Sequence, residues 1–194
     1  MKKIYLIMIF FQTLLFAQQS DTIPKSNPIF YFDIHFGIGR AEKIAFSTGA
    51  SLNYQVSNNL FTARYAAMTR VDNWFLIFPT AGTTTTEFGV LYGKRFVDGG
   101  ESYSFSAGIA LVKTEKNFNN QPNSFSTYIG IPFEFNYMFF KANKEPFRIF
   151  YGIIPVGKPI TFGQSVGFKL LGNISKNPFF GIGVTTSIGW HKKY

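Results

Sequence analysis

The sequence predicts an all-β fold, an eight-stranded antiparallel transmembrane β-barrel of up-and-down topology, and three observations carry that prediction. The first is the alternation over 179–190. Phe180, Ile182, Val184, Thr186, Ile188 and Trp190 fall on one parity, and Gly181, Gly183, Thr185, Ser187 and Gly189 on the other. Successive strand residues point to opposite faces, so this segment has one greasy face and one small, polar face. The second is that the alternation recurs along almost the whole chain without amphipathic helices for the greasy faces to pack against, which leaves lipid as their partner. The third is composition: 25 Phe and 10 Tyr among 194 residues, with only 15% charged, a balance rich in strand formers. The length suits one domain.

The N-terminus reads as a secretory signal over 1–17. Lys2 and Lys3 precede an apolar run, 4–16, and Ala17 stands before Gln18 and Gln19. That run falls short of the roughly 20 residues a spanning helix needs. Cleavage after Ala17 leaves 18–29 as a short N-terminal segment and 30–194 as the barrel. It lowers the formal charge from +9 to about +7, because Lys2 and Lys3 depart. In an exported chain, a basic balance implies contact with anionic lipid or lipopolysaccharide, not nucleic acid. The absence of Cys excludes disulfides, thiolate metal sites and a lipid-modified N-terminal Cys.

Eight segments pass the period-2 test. In 30–40, Phe30, Phe32, Ile34, Phe36 and Ile38 oppose Tyr31, Asp33, His35, Gly37 and Gly39. In 44–56, Ile44, Phe46, Leu52, Tyr54 and Val56 oppose Ser47, Gly49, Ser51, Asn53 and Gln55. Phe61, Ala63 and Tyr65 oppose Thr62, Arg64 and Arg70 in 61–70; Phe88, Val90 and Tyr92 oppose Glu87, Gly89 and Arg95 in 84–96. Tyr103, Phe105, Ile109 and Leu111 oppose Ser104, Ser106 and Gly108 in 102–113. In 124–139, Phe125, Ile129, Ile131, Phe133, Phe135 and Tyr137 oppose Ser126, Gly130, Glu134 and Asn136. In 165–174, Val166, Phe168, Leu170 and Ile174 oppose Ser165, Gly167, Lys169 and Asn173, and 179–190 completes the set. Most of these segments match the roughly 9–11 residues that a tilted strand needs to cross a bilayer.

A further candidate, 147–154, breaks the rule. Phe147, Ile149, Tyr151 and Ile153 share one parity, Phe150 and Ile154 lie on the other, and Pro155 and Pro159 follow. Because single-chain barrels close with an even strand number, 140–163 is assigned to a long connection, with a short hairpin or an amphipathic surface segment as other solutions. Short turns at 57–59 and 98–100 define the periplasmic side, and the longer loops 71–82 and 114–123 the external side. Phe30, Tyr54, Phe61, Tyr92, Tyr103, Tyr137 and Trp190 all fall at the periplasmic strand ends, as an interfacial aromatic girdle requires. Loop 71–82 carries Trp74, Phe75 and Phe78, a possible external contact.

Side-chain size assigns the faces. An eight-stranded barrel has room inside only for side chains. Gly, Ser, Thr and Asn interleaved with a few charges fit that space; the phenylalanines do not. A soluble barrel with an apolar interior is therefore disfavoured. The signal, the eight amphipathic strands, Gly130-Ile131-Pro132 and the closing Gly167-Phe168-Lys169…Trp190 resemble small outer-membrane barrel proteins of Bacteroidota. More loosely, they resemble the eight-stranded barrels of the OmpA/OmpX kind. The resemblance implies residence in the outer membrane of a Gram-negative bacterium. It also implies that a C-terminal aromatic, Trp190 or Tyr194, is read by the barrel assembly machinery.

The inward charges form the candidate site. Asp33, Glu87 and Glu134 are expected to pair with Arg64, Arg70, Arg95 or Lys169, with His35 nearby, because charges in a narrow interior are costly unless paired. Asp33 and His35 share a face, and with Ser47 or Ser51 as nucleophile they would make a catalytic set, but nothing fixes its third member. The Gly37-Ile38-Gly39 and Gly181-Ile182-Gly183 runs lack the strand-to-helix context of a phosphate loop. No cofactor or metal is expected with two His and no Cys. The resulting expectation is a non-enzymatic barrel with a structural or surface-interaction role, the alternative being a narrow channel for ions or small solutes.

Overall fold

A computed structural model describes residues 27–73, 80–116, 124–150 and 153–194. The signal segment 1–17 and Trp74, Phe75 and Phe78 lie outside the described residues. Among the described residues ten strands follow one another: β1 (Ile29–Ala41), β2 (Lys43–Val56), β3 (Asn59–Asn73), β4 (Thr80–Asp98), β5 (Glu101–Lys116), β6 (Ser124–Phe140), β7 (Glu145–Ile149), β8 (Ile154–Ile160), β9 (Phe162–Ile174) and β10 (Phe179–Trp190). Eight of them close into a barrel in the order β1-β10-β9-β6-β5-β4-β3-β2, each antiparallel to its neighbours. Each of the eight alternating segments is a barrel strand. The longest, β4, β5 and β6 at 19, 16 and 17 residues, run past the bilayer length on the side of the longer loops.

Closure requires a stagger. A circuit of cross-strand partners from Trp190 passes through Phe30, Tyr54, Phe61, Tyr92, Ala107, Phe133 and Gly172. It returns to β10 at Phe180, ten residues from its start. Pro132 interrupts the ladder once. It brings no N–H, and the β5–β6 pairing lapses between Ala107–Phe133 and Ala110–Gly130.

The molecule is inside out by the standard of a soluble protein. Phe88, Val90 and Ile129 are 68–70% exposed, while Arg64, Glu87, Glu134 and Lys169 are at most 1% exposed. Lipid is the solvent that suits such an exterior, and a closed barrel leaves no strand edge unpaired within it. The chain therefore folds as an eight-stranded transmembrane β-barrel.

The 140–163 connection contains a two-stranded hairpin, β7–β8, separate from the barrel sheet. The alternation fails there because the chain reverses: Ile149 pairs with Ile154, and Phe150 adopts a positive φ of 49° between them. Pro155 and Pro159 are tolerated because both strands of a two-stranded ribbon are edges.

Candidate functional site in the barrel lumen

Inward parity on five different strands sends the ionisable side chains to one place. Lys169 of β9 reaches Asp33 of β1 at 2.6 Å and lies 3.8 Å from Glu134 of β6. Arg64 of β3 grips Glu87 of β4 through Nε at 2.9 Å and a terminal nitrogen at 2.5 Å, and approaches Glu134 at 3.4 Å. Its terminal nitrogens also donate to the carbonyls of Phe133 and Gly172. Glu134 thus lies between the two cations and joins both pairs into one network.

Amides complete it. Asn53 donates to Asp33 at 2.6 Å and accepts from Thr62; Asn173 donates to Glu87 at 2.6 Å; Asn136 donates to Glu134 at 3.1 Å. Each carboxylate is then held by at least one cation and one amide, as a buried charge must be.

Arg95 departs from the expected pairing with carboxylates. It sits near the short-turn end of β4, where it donates to Gln55 Oε1 and the His191 carbonyl at 2.8 Å each and to Ser102 Oγ at 2.9 and 3.2 Å. Its guanidinium also lies 4.9 Å from the Tyr31 ring centre and 5.7 Å from that of Phe140. Neutral dipoles and ring faces replace an acid here. Parity was right for Arg95, but its height along the strand separates it from Glu87, eight residues away. Arg70, toward the long-loop end of β3, lies 3.6 Å from Glu42.

The histidine–serine arrangement does not form a relay. His35 Nε2 stands 3.4 Å from Ser47 Oγ, while Asp33 is engaged by Lys169 and Asn53, and His35 Nδ1 has no hydrogen-bond partner. Ser51 serves Lys169 as an acceptor at 3.1 Å. Gly49 provides the room for the imidazole, since a Cβ there would fall 2.4 Å from His35 Cε1. Among the described residues, no group of three or more His, Asp or Glu is placed to hold a metal ion.

Apolar layers flank the network. Ala45, Met68, Leu171 and Phe179 cluster toward the long-loop end, and Ile29, Tyr31 and Met138 toward the short-turn end. Of these only Tyr31 is placed on the inner face by the sequence reading, although Met68, Leu171 and Met138 share the parity of Arg64, Lys169 and Asn136. Beside the lower layer, the His191 ring stacks on Phe140 at 5.4 Å, and its Nε2 donates to the Gly163 carbonyl at 3.3 Å. Burial, reinforced by the charge of Arg95, lowers the His191 pKa to about 4.

On the outer wall, the register runs Trp190, Phe30, Tyr54, Phe61 and Tyr92 as successive cross-strand partners, with Tyr103 opposite Tyr137. Phe96 links the two groups. It lies four residues below Tyr92 and stacks on Tyr103 at 5.1 Å. The tyrosine hydroxyls find polar partners at this level, Tyr92 on Asn59 at 2.9 Å and Tyr137 on Glu101.

No protein-family model matches the chain, and no curated protein is similar to it in sequence. Solved structures are similar to it in fold. Neisserial surface protein A superposes with a TM-score of 0.54 at 13% identity, covering 86% of this chain and 99% of its own. Ail, the attachment invasion locus protein of Yersinia pestis, superposes with a TM-score of 0.51 at 9% identity, covering 89% and 100%. The likeness extends over nearly the whole of each of those proteins, and what it shows is the shared eight-stranded barrel.

Proposed function

We propose that this chain is a non-enzymatic integral protein of the outer membrane of a Gram-negative bacterium, exported by a cleaved signal at 1–17, with a structural or surface-interaction role. The observation that carries the reading is the filled lumen. Three carboxylates and two cations are bonded to one another across the barrel, with an apolar layer on either side. An interior so occupied gives the wall stiffness and leaves the external loops 71–82 and 114–123 as the places for partner contact. Outer-membrane lipids surround the wall, and Trp190 or Tyr194 is the aromatic presented to the barrel assembly machinery. The resemblance to small barrels of Bacteroidota belongs to the same proposal.

The alternative, a narrow channel, draws on Glu134. This carboxylate is shared by Arg64 and Lys169, so an exchange of partners would rearrange the plug. Planar-bilayer recording separates the two. The structural reading expects no steady single-channel steps from the reconstituted protein, and reproducible steps that change with Lys169→Met would overturn it. Membrane fractionation with a heat-modifiable gel shift tests the location, and recovery in the soluble periplasmic fraction would refute it. Turnover of a lipid substrate that is lost in a folded His35→Ala variant would restore the enzymatic reading.

A further inference from the structure

We propose that the β7–β8 hairpin is a membrane-interface element, whose apolar face rests on the acyl-chain boundary of an anionic phospholipid leaflet beside the barrel mouth. The inference rests on the reading of the barrel as bilayer-embedded and adds a second, separate contact with lipid.

Cross-strand partners share a face of a ribbon. Ile149 and Ile154 are paired, and Val156 follows two residues on. These three are 41–47% exposed, and Phe150 and Ile153 at the tip are 69% and 73% exposed. The opposite face carries Arg148 across from Pro155. Arg148, Pro146 and Ile160 line a cleft of about 200 Å³ between the hairpin and the barrel mouth, together with Phe140, His191 and Tyr194. Ile149, Ile154 and Val156 are not part of that lining. The hairpin thus turns its cationic, proline-bearing face to the protein and its aliphatic face away from it.

A two-stranded hairpin is marginal in water by itself, and a contiguous aliphatic face on a periplasmic connection calls for a partner. Continuity and charge identify that partner as lipid. The chain enters the hairpin from the lipid-facing Phe135, Tyr137 and Phe139 of β6. It leaves into Phe162, whose ring packs on Trp190 at 5.1 Å. Both ends therefore lie at the level of the aromatic rim, where an interfacial segment has its depth fixed for it. Segment 141–161 contains Lys141, Lys144, Arg148 and Lys158 against the single acid Glu145. That excess attracts anionic headgroups, whereas two copies of the same cationic hairpin would repel each other. Lys144 already lies over the Tyr194 ring at 5.6 Å, which anchors the hairpin base to the chain terminus.

The chain has no Cys, so a single introduced cysteine can be labelled uniquely. The protein is reconstituted in phosphatidylcholine vesicles with or without phosphatidylglycerol, carrying an environment-sensitive fluorophore at Ile153→Cys, Val156→Cys, Arg148→Cys or Phe88→Cys. Quenching by a shallow nitroxide lipid is compared with quenching by aqueous iodide. Lipid quenching at Ile153→Cys and Val156→Cys should reach at least about half of that at Phe88→Cys and clearly exceed that at Arg148→Cys, rising with phosphatidylglycerol. Removing Lys144 and Lys158 charge with Gln should cancel that rise. Iodide quenching at both hairpin sites, with lipid quenching retained at Phe88→Cys, overturns this inference and leaves the barrel reading intact. Iodide quenching at Phe88→Cys as well overturns both. Protection that grows only with protein density assigns the face to a second copy and also overturns the proposal.

Discussion

Arg64 and Arg95 are both buried in the lumen, at 1% and 0% exposure, yet they are held in different ways. Arg64, at mid-height, grips Glu87, approaches Glu134 and donates to two backbone carbonyls. Arg95, near the mouth, is held by an amide oxygen, a hydroxyl, a carbonyl and two ring faces. The difference follows height. At mid-height the carboxylates of Glu87 and Glu134 project from other strands to the guanidinium and balance it. Near the rim, dipoles and π faces suffice. Taken together the lumen is balanced, with Asp33, Glu87 and Glu134 set against Arg64, Lys169 and Arg95, but the balance is shared between two separate regions.

The largest expected effect comes from breaking the mid-lumen side. Arg64→Met leaves Glu87 and Glu134 without their shared cation and should cost about 3–5 kcal/mol, the usual penalty for stranding buried charge. Adding Glu87→Gln should recover much of that loss, because Asn173 still donates to the neutral side chain. Urea unfolding followed by the gel shift measures both. A single variant with near-native stability would mean that water enters the mid-lumen after all.

Acid tests the rim. His191 is held neutral, with its pKa near 4 against a usual 6.5, first by burial and then by the charge of Arg95. The folded state thus disfavours the proton. The stability this gives is fully present above about pH 6.5, is lost as the pH falls toward 4, and changes no further below that. The drop amounts to about 3 kcal/mol at most. The difference between wild type and His191→Gln across this range isolates it from the titration of the lumen carboxylates. No difference between the two profiles would place His191 in contact with water.

Much of this arrangement was legible in the sequence, and the part that was not has a physical cause. Period-2 parity placed Asp33, Glu87, Arg64 and Lys169 on the inner face because a strand side chain has only two directions available. Parity is silent about height, however, and height depends on the stagger of closure, which no single strand carries. That is why Arg95 was grouped with the carboxylates, and why Phe96 was passed over beside Tyr92 and Tyr103. The hairpin was obscured for a different reason. Its strands, five and seven residues long, are separated by a reversal that inverts the parity, so a straight reading through 147–154 finds both faces apolar.

A smaller effect is expected from the second arginine. Arg95→Met strands no acid. It leaves the Gln55 oxygen and the His191 carbonyl short of a donor, at a cost of about 2 kcal/mol. The ratio between the two arginine variants is the measure of the comparison, and equal costs would erase the distinction between mid-lumen and rim.

The finest test joins the acid profile to the two arginines. Arg95 is one of the two causes that hold His191 neutral, and its carbonyl contact places it directly against that residue. In Arg95→Met the imidazole should therefore accept a proton more readily, and the acid-dependent loss should shrink by about 1 kcal/mol or less, since burial remains. Arg64 makes its contacts deeper in the barrel and has no place among the causes acting on His191. Arg64→Met should lower the whole stability curve without altering the His191 step within it. If both variants shrink the step equally, the lumen behaves as one electrostatic body, and the division between a paired middle and a dipole-held mouth has no energetic meaning.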